Sequence, residues 1–507
     1  MPALDPERTP VVVASGQTLE RDDLVTPVDL MARAAEAALA DAPALRDRIG
    51  RLTVVDIMTA TGPAPATELA RRLGLGDDVA REVTTVGGNT PQWLVNRAAS
   101  AIAAGEGTVT LIAGAEAIRS QRARRAQGLA KALGDEALPP DPVVGDDLPG
   151  SGPAELAISL LAPVHVYPLL EVAHAHRLGR DSAAQRQAIG ALFAPFTVVA
   201  AANPLAWFRE ARAAEALATV TADNRLVCDP YTKRMTAFLG SDQGAALLVC
   251  SLAEATRAGV ADRAVFVWAG AEAVDVRAVS ARPDPGRSPA IAAAGRALWE
   301  AAGTAAGRTV GVDDVARMDL YSCFPSAVQL ACEALGVATD DSRGLTVTGG
   351  LPYFGGPGNN YTTHGIASLC DLLRADGGDC LGLATGLGWY ITKHALGLYG
   401  TTPPPSGFHR GDTSADQAAI DASAVEVALT VDAPQRATVV TATVWRDNDG
   451  SAAGAPVIAR LDDGRHMALA TAGEDVLAAM GTRDVCTLPG TAVDVVAGAP
   501  RYRLPDS

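Results

Sequence analysis

The hydrophobic and polar positions of the N-terminal part of the chain alternate between two periods. Pro10–Gly16 is a β-branched run ending in glycine and predicts a strand. Thr26–Ala42 then sets apolar residues at helical spacing, with Thr26 suited to the N-cap and Pro27 to the first helical position. Arg51–Thr59 predicts a second strand and Pro65–Leu73 a second helix. Thr108–Gly114 predicts a strand that follows a helix begun near Pro91. Strands and helices joined by short glycine turns predict an α/β layered domain.

From Arg119 to Leu148 the chain is charged and then proline-rich, which predicts an excursion from that core. Residues up to about 235 continue it with mostly helical periodicity. The strand–helix rhythm resumes at GSDQGAALLVC (240–250), then at Ala264–Trp268, Met318–Ser322 and Asp379–Thr385, so the core closes near Tyr399. TTPPPSG (401–407) and the polar GDTSAD after it predict a linker. Beyond it, VEVALTVD, ATVVTATVW, PVIARL, HMALAT and TAVDVVAG read as short strands, with turn signals such as DNDGS and DDGR between them. Only Glu474–Met480 reads as helical there, and a small β-barrel of the oligonucleotide/oligosaccharide-binding type is expected.

Composition narrows the partners. With 507 residues the chain exceeds one simple core, and its formal charge of −16 argues against nucleic-acid backbones and anionic membrane surfaces. The start MPALDPERTPVVVASG has no basic stretch followed by an apolar one, and no apolar run reaches the length of a membrane span. Seven scattered cysteines form no CxxC pair, which predicts reduced thiols and a cytoplasmic protein. The seven histidines are dispersed, and His174 with His176 stands at strand rather than helix spacing, so no metal site is expected.

One stretch poses a chemical puzzle. TTVGGNTPQW runs a glycine turn into a helix N-terminus, a mount for a nucleophile, yet the turn holds neither cysteine nor serine.

Four segments, in order and spacing, resemble the thiolase superfamily, most closely its sterol-carrier-protein type. TTVGGNTPQWLVNRAASAIAAGEGTVTLIAGAEA resembles the segment carrying the nucleophilic cysteine and then the central strand. GSDQGAALLV resembles the DGAAA-type strand, and LYSCFPSAVQLACEALG the segment written HDCF or NEAF. GGLPYFGGPGNNYTTHGIASL resembles the segment that normally contains Gly-His-Pro. The resemblance implies a five-layered α-β-α-β-α core of two similar halves. They would span 1–117 with 236–255, and 256–400, with an inserted loop domain at 118–235, a linker at 401–414 and the barrel at 415–507.

Thiolase chemistry needs a thiolate, a histidine to activate it, a second cysteine and an oxyanion hole. Here Gly88, or Asn89 with a one-residue slip, stands at the nucleophile's place, and Gly356 at that of the Gly-His-Pro histidine. TGLGWYITKHALGLYG has no second cysteine, while Cys323 remains at a supporting position. The pattern looks like the thiolase-like protein type 1 group, which lacks these residues and has an additional C-terminal domain. It implies an acyltransferase-like protein of lipid metabolism with no cofactor beyond a CoA thioester as substrate or ligand. A conventional thiolase reaction is not expected, and monomer and homodimer both remain open.

The remaining candidates follow from the same resemblance. GGPGNNYTTHG offers Asn359, Asn360, Tyr361 and His364, and GWYITKHALGLY offers Trp389, Tyr390, Lys393 and His394. In the superfamily both turns face the thioester, so Gly88, Asn89, Cys323, Gly356, Lys393 and His394 are expected to meet the substrate. Ordinary turn formers and a solvated lysine explain the same letters. Tyr321 occupies the His of HDCF, where thiolase-like steroid side-chain aldolases carry a tyrosine (YDAF) and work with a separate barrel partner. Tyr321 and His364, helped by Tyr361 and Asn360, form the expected acid–base set. The competing reading of Tyr321 is a core phenol bonded to backbone. Lys233 and Arg234 of PYTKRM are expected at the CoA phosphates, or as a solvated turn. Three functions stay open: an acyl-CoA enzyme of altered chemistry (acyl transfer or retro-aldol on a β-hydroxyacyl-CoA), a non-catalytic acyl-CoA or lipid binder, and a structural member of an assembly.

Overall fold

The computed structural model describes residues 4–59, 61–131 and 134–505, so two residues of the charged excursion and the first three of the chain lie outside the described residues. The core opens with β1 (Pro10–Glu20), α1 (Pro27–Asp41), β2 (Ile49–Val54), β3 (Ala80–Thr84), α2 (Thr90–Ala104) and β4 (Val109–Ala117). The inserted region carries α3 (Pro163–Arg177) and α4 (Ser182–Ala202). The core then resumes with β5 (Asp242–Ser251), β6 (Val265–Val274), α5 (Pro289–Ala306), β7 (Val315–Asp319), α6 (Pro325–Leu335), α7 (Tyr361–Asp376), β8 (Leu381–Gly388) and β9 (Lys393–Gly400).

Local chemistry sets the element ends. The Thr26 hydroxyl accepts the Asp29 N–H at 3.1 Å while the Asp29 carboxylate accepts the Thr26 N–H at 2.8 Å, a capping box ahead of Pro27. α2, α5 and α6 each end on a left-handed glycine, Gly105, Gly307 and Gly336.

Strand order exposes a duplication. β2 runs parallel to β4, which is antiparallel to β5, which is antiparallel to β1. β7, β8, β9 and β6 repeat that order and those directions. The two halves join where Val11 and Val12 of β1 pair with Phe266 and Val265 of β6. β4, β5, β8 and β9 are buried at every position, which is why they read as continuous small and apolar runs. α1 packs on β1, β4 and β5, and α5 on β6 and β9. α2 and α7 touch each other and strands of both halves, so the two loops that precede them meet in the middle of the molecule.

After the core, β10 (Gln435–Ala442), β11 (Val457–Leu461), β12 (His466–Thr471), β13 (Ala492–Val495) and β14 (Arg501–Arg503) close into a five-stranded barrel. It is docked, not tethered. Val172 and Ala175 of α3 share one apolar cluster with Val457, Leu469 and Tyr502. His165 stacks on Trp445 at 4.1 Å between centroids, and Asp229 pairs with Arg446. Trp445 also pairs in strand fashion with Cys228, joining insert and tail in one four-stranded sheet.

Three segments differ from their sequence reading. The stretch read as a linker contains His409–Arg410, which pairs with Ala269 and Gly270, and at its end begins a helix, Ser414–Ala422, that runs on into the part read as barrel, where only Glu474–Met480 was expected to be helical. That helix is held by the Gln417 amide, which bonds the Val274 N–H and C=O at 2.8 Å each. VEVALTVD makes one isolated bridge, Val427 to His466, and gives Ala428 and Val431 to the barrel core. His174 and His176 lie on α3, so their spacing turns them apart: His174 towards Glu333, His176 towards the Cys486 carbonyl. Among the described residues no helix is long and apolar enough to cross a membrane.

Candidate functional site

The glycine turn Gly87–Gly88–Asn89 lies between β3 and α2 and is gripped from the loop before α7. The Gly87 N–H donates to Asn359 Oδ1 at 3.1 Å, and the Asn359 amide donates to the Asp56 side chain at 3.0 Å. The Thr362 hydroxyl donates to the Gly88 carbonyl at 2.9 Å. On the other side of Gly88 stands Tyr321, just after β7. A β-carbon on Gly88 would overlap the Tyr321 hydroxyl and lie 2.6 Å from the Leu387 carbonyl oxygen. Glycine is therefore the residue that fits, because the tyrosine already fills the side-chain space.

Tyr321 is held at both ends of its backbone-to-ring axis. Its N–H donates to the Thr385 hydroxyl at 2.8 Å, and its ring meets that of Tyr361 edge-on at 5.5 Å. The Tyr321 side chain is 7% exposed, and its hydroxyl makes no hydrogen bond to another described residue. Burial holds its proton well beyond the ordinary phenol range, so the group is a neutral donor. Behind it, the Tyr361 and Thr348 hydroxyls bond at 2.6 Å, with Asp319 Oδ1 3.5 Å from the phenol. Burial pushes Asp319 up to about 6 against the pull of the Val347 N–H and Thr346 hydroxyl.

The other expected members are placed apart from this pair. Asn360 is a bracket: its amide donates to the Gly114 carbonyl and accepts from the Thr363 hydroxyl, both at 2.6 Å. His364, one turn along α7, faces β1, with Nδ1 2.8 Å from Gln17 Oε1 and its ring edge-on to Phe354. Burial lowers it to about 3, so it is neutral, and it forms no bond to Tyr321. The Gly356 N–H donates to the Phe238 carbonyl at 2.8 Å, where a β-carbon would also press. Cys323 is buried, its thiol pushed up to about 12. Lys233 is exposed, whereas Arg234 is tied into its own turn through its N–H to Asn224 and its carbonyl to the Tyr353 hydroxyl.

Asn89, Lys393 and His394 come together elsewhere. They line a cavity of about 140 Å³ with Thr90 and Trp93 of α2, and Tyr321 is not among its lining residues. The Lys393 ammonium donates to the Asp146 carbonyl and lies 3.7 Å from its carboxylate. Burial lowers the Lys393 pKa. His394 Nε2 is 3.2 Å from Asp275 Oδ2. The turn just before Lys393 is strained: Trp389 and Ile391 have φ of 58° and 53°, a region that a β-branched residue rarely enters. Tyr167 and Arg282 hold it, through the Trp389 carbonyl at 2.6 Å and the Thr392 hydroxyl at 3.0 Å. Sequence reading missed Trp93 and Asp146, because nothing in the spacing of distant segments shows that a loop returns to a helix start.

Over 99% of its length the chain is similar to a monomeric SCP2-thiolase-like protein type 1 from Mycobacterium smegmatis, at 33% identity and a TM-score of 0.82, covering 99% of that chain. An Ltp2–ChsH2(DUF35) aldolase shares the fold at 19% identity and a TM-score of 0.58, over 78% of this chain and 99% of that one. Acetyl-CoA acetyltransferase from Syntrophomonas wolfei shares it at 16% and 0.56, again over 78% and 99%. No protein-family model and no curated protein matches the chain. With a third of its residues identical across nearly the full length of both chains, the protein belongs to the SCP2-thiolase-like proteins of type 1.

Proposed function

We propose that this protein acts on an acyl-CoA thioester without forming a covalent acyl-enzyme, and that the Tyr321 hydroxyl meets the thioester carbonyl. One observation carries the reading: the phenol fills the space a side chain at position 88 would use, at the start of α2. A neutral, buried hydroxyl with an open hydrogen-bonding capacity donates to a carbonyl or enolate oxygen and does not attack it. Gly88, Cys323 and Gly356 then line the acyl end, and Lys233, with Arg234 beside it, meets the CoA phosphates. In the same reading the two repeats stack as five α-β-α-β-α layers, the barrel is of the oligonucleotide-binding type, and the protein works in the cytoplasm.

A second reading, carbon–carbon cleavage of a β-hydroxyacyl-CoA, is favoured by the adjacency of two phenols, Tyr321 and Tyr361, backed by Asp319. In a retro-aldol step a base takes the β-hydroxyl proton and the Cα–Cβ bond breaks. The electron pair moves onto the thioester as an enolate, whose oxygen Tyr321 bonds until the α-carbon is protonated. The products are a carbonyl compound and a shortened acyl-CoA, with no further reactant. Fold-level likeness to an aldolase accords with this.

Calorimetric titration and turnover assays of wild type and Tyr321→Phe with a series of acyl-CoAs test both readings. Both proteins should bind the same thioester, and the variant should lose about a hundredfold or more in rate. Binding without turnover on aldol, Claisen and acyl-transfer substrates leaves a non-catalytic binder. An acyl adduct on any cysteine overturns the proposal.

A further inference from the structure

The turn Trp389–Ile391 does not hold its shape by local preference. A tryptophan and a β-branched isoleucine at positive φ persist only where the surroundings fix them. Its shape matters to the Tyr321 site, because it directly follows the end of β8. There the Leu387 carbonyl abuts Gly88, and a β-carbon on Gly388 would stand 3.2 Å from Gly87 Cα and overlap the Asn89 side chain. A turn that relaxed would release the end of β8 from the glycine turn.

Two side chains grip this turn, and each is backed by the barrel. The first is Tyr167 of α3, whose hydroxyl donates to the Trp389 carbonyl while its ring stacks on Phe324 at 4.4 Å. The same helix gives Val172 and Ala175 to the apolar cluster of the barrel. Two residues from Tyr167, the Leu169 carbonyl accepts the buried Thr441 hydroxyl of β10 at 2.6 Å. The second is Arg282, which donates to the Thr392 hydroxyl from just after the 3-10 turn Val279–Ala281. Strand β12 holds that turn: His466 Nδ1 lies 2.9 Å from the Ser280 carbonyl, and since a carbonyl only accepts, Nδ1 carries the proton. The Val425 N–H, in the segment that leads into the barrel, donates to the Ala281 carbonyl at 2.8 Å. Two segments far apart in sequence therefore touch the strained turn at one end and the barrel at the other.

We infer that the C-terminal barrel is a brace for the Trp389–Ile391 turn, with Tyr167 and Arg282 as positioning residues through which it sets the Tyr321 site. The brace is a matter of geometry alone; its effect on turnover rests on the thioester reading.

Hydrogen exchange of the full chain reads the turn without a ligand. The reporter is the Thr392 N–H, which donates to the Gly388 carbonyl across the turn at 3.2 Å. Thr441→Val and His466→Leu each remove one barrel contact, and Tyr167→Phe removes the hydroxyl but keeps the ring. Exchange in the peptide carrying Thr392 should rise about tenfold in each, the effect of one lost hydrogen bond, while β1 and β4 exchange as in wild type. His466→Asn, with an amide donor near the position of Nδ1, should restore slow exchange. Unchanged exchange at Thr392 in both barrel variants overturns the inference. So does a rise spread equally over the core, which is what general destabilisation gives. Should His466→Leu fail to fold, Thr441→Val decides. On an acyl-CoA that wild type turns over, the variants should lose kcat with KM nearly unchanged. No acyl-CoA binding in any of the proteins, with the Thr392 response intact, removes the thioester reading and leaves the brace; turnover with no Thr392 response does the reverse.

Discussion

Tyr321 and Gly88 share one volume: a β-carbon on Gly88 would stand 2.8 Å from Tyr321 Cζ, closer than real contacts allow. Gly88→Ala should therefore cost roughly 1–3 kcal/mol of stability by overpacking. In a Tyr321→Ala background the same change should cost less, with the Leu387 carbonyl keeping part of the penalty. Urea unfolding of the four proteins in this double-mutant cycle measures the coupling, about 1 kcal/mol. Simple additivity of the two single effects would show that the residues do not compete for space.

Thiol reactivity provides a second test. Burial pushes the thiols of Cys250, Cys323, Cys332, Cys370 and Cys486 up to about 12, and Cys228 is buried among them. Cys380 alone of the seven is partly exposed. Native iodoacetamide treatment at neutral pH should give a single adduct, on Cys380, with the rest reacting only after denaturation. Peptide mapping that finds Cys323 modified in the native protein would contradict its enclosure.

Glu116 supplies a pH dependence. Its carboxylate accepts the Met58 and Thr59 N–H groups at 2.6 and 2.8 Å, yet burial pushes it from 4.5 up to about 7. A raised carboxyl pKa means that the fold holds the proton more tightly than the unfolded chain does. The associated stability is complete below pH 4.5 and is lost as pH rises through 7. Glu116→Gln should be less stable at low pH, having lost an acceptor, but with a shallower decline across that window. Asp319 titrates in both proteins, so the difference isolates Glu116. Parallel declines in denaturant melts would rule out Glu116 as the titrating group.

The barrel's anchor can be weighed directly. Arg446 bonds both oxygens of Asp229, with the two side chains 15% and 8% exposed. Arg446→Ala leaves a largely buried carboxylate without its cation, which should cost roughly 3 kcal/mol. A shift in denaturation midpoint worth only about 0.5 kcal/mol, as for a surface pair, would show that the contact is incidental.

Particular residues show what could be read in advance. Thr26 with Pro27 marked the start of α1, and the short runs ATVVTATVW, PVIARL and HMALAT between turn signals marked barrel strands, because these signals are local. The helix Ser414–Ala422 was hidden by the proline cluster before it and is fixed by Gln417 on the distant Val274. The candidate site divided for a similar reason. Tyr361 and His364 lie three residues apart on α7, but one meets Tyr321 and the other Gln17 of β1. Helical spacing says that they are neighbours; only the placement of α7 between two sets of strands says that they serve different surroundings.

The shared four-stranded sheet bears on the order in which the protein can mature. Cys228 waits 215 residues along the chain for Thr443, and the strand at Leu226–Cys228 finds its Trp445 neighbour only then. During synthesis, therefore, the first half of the core and the long helices of the insert emerge well before the surface that covers α3. Until the barrel arrives, Val172 and Ala175 face water. The nascent chain carries an exposed apolar patch through most of its synthesis, a condition that favours chaperone capture over early release.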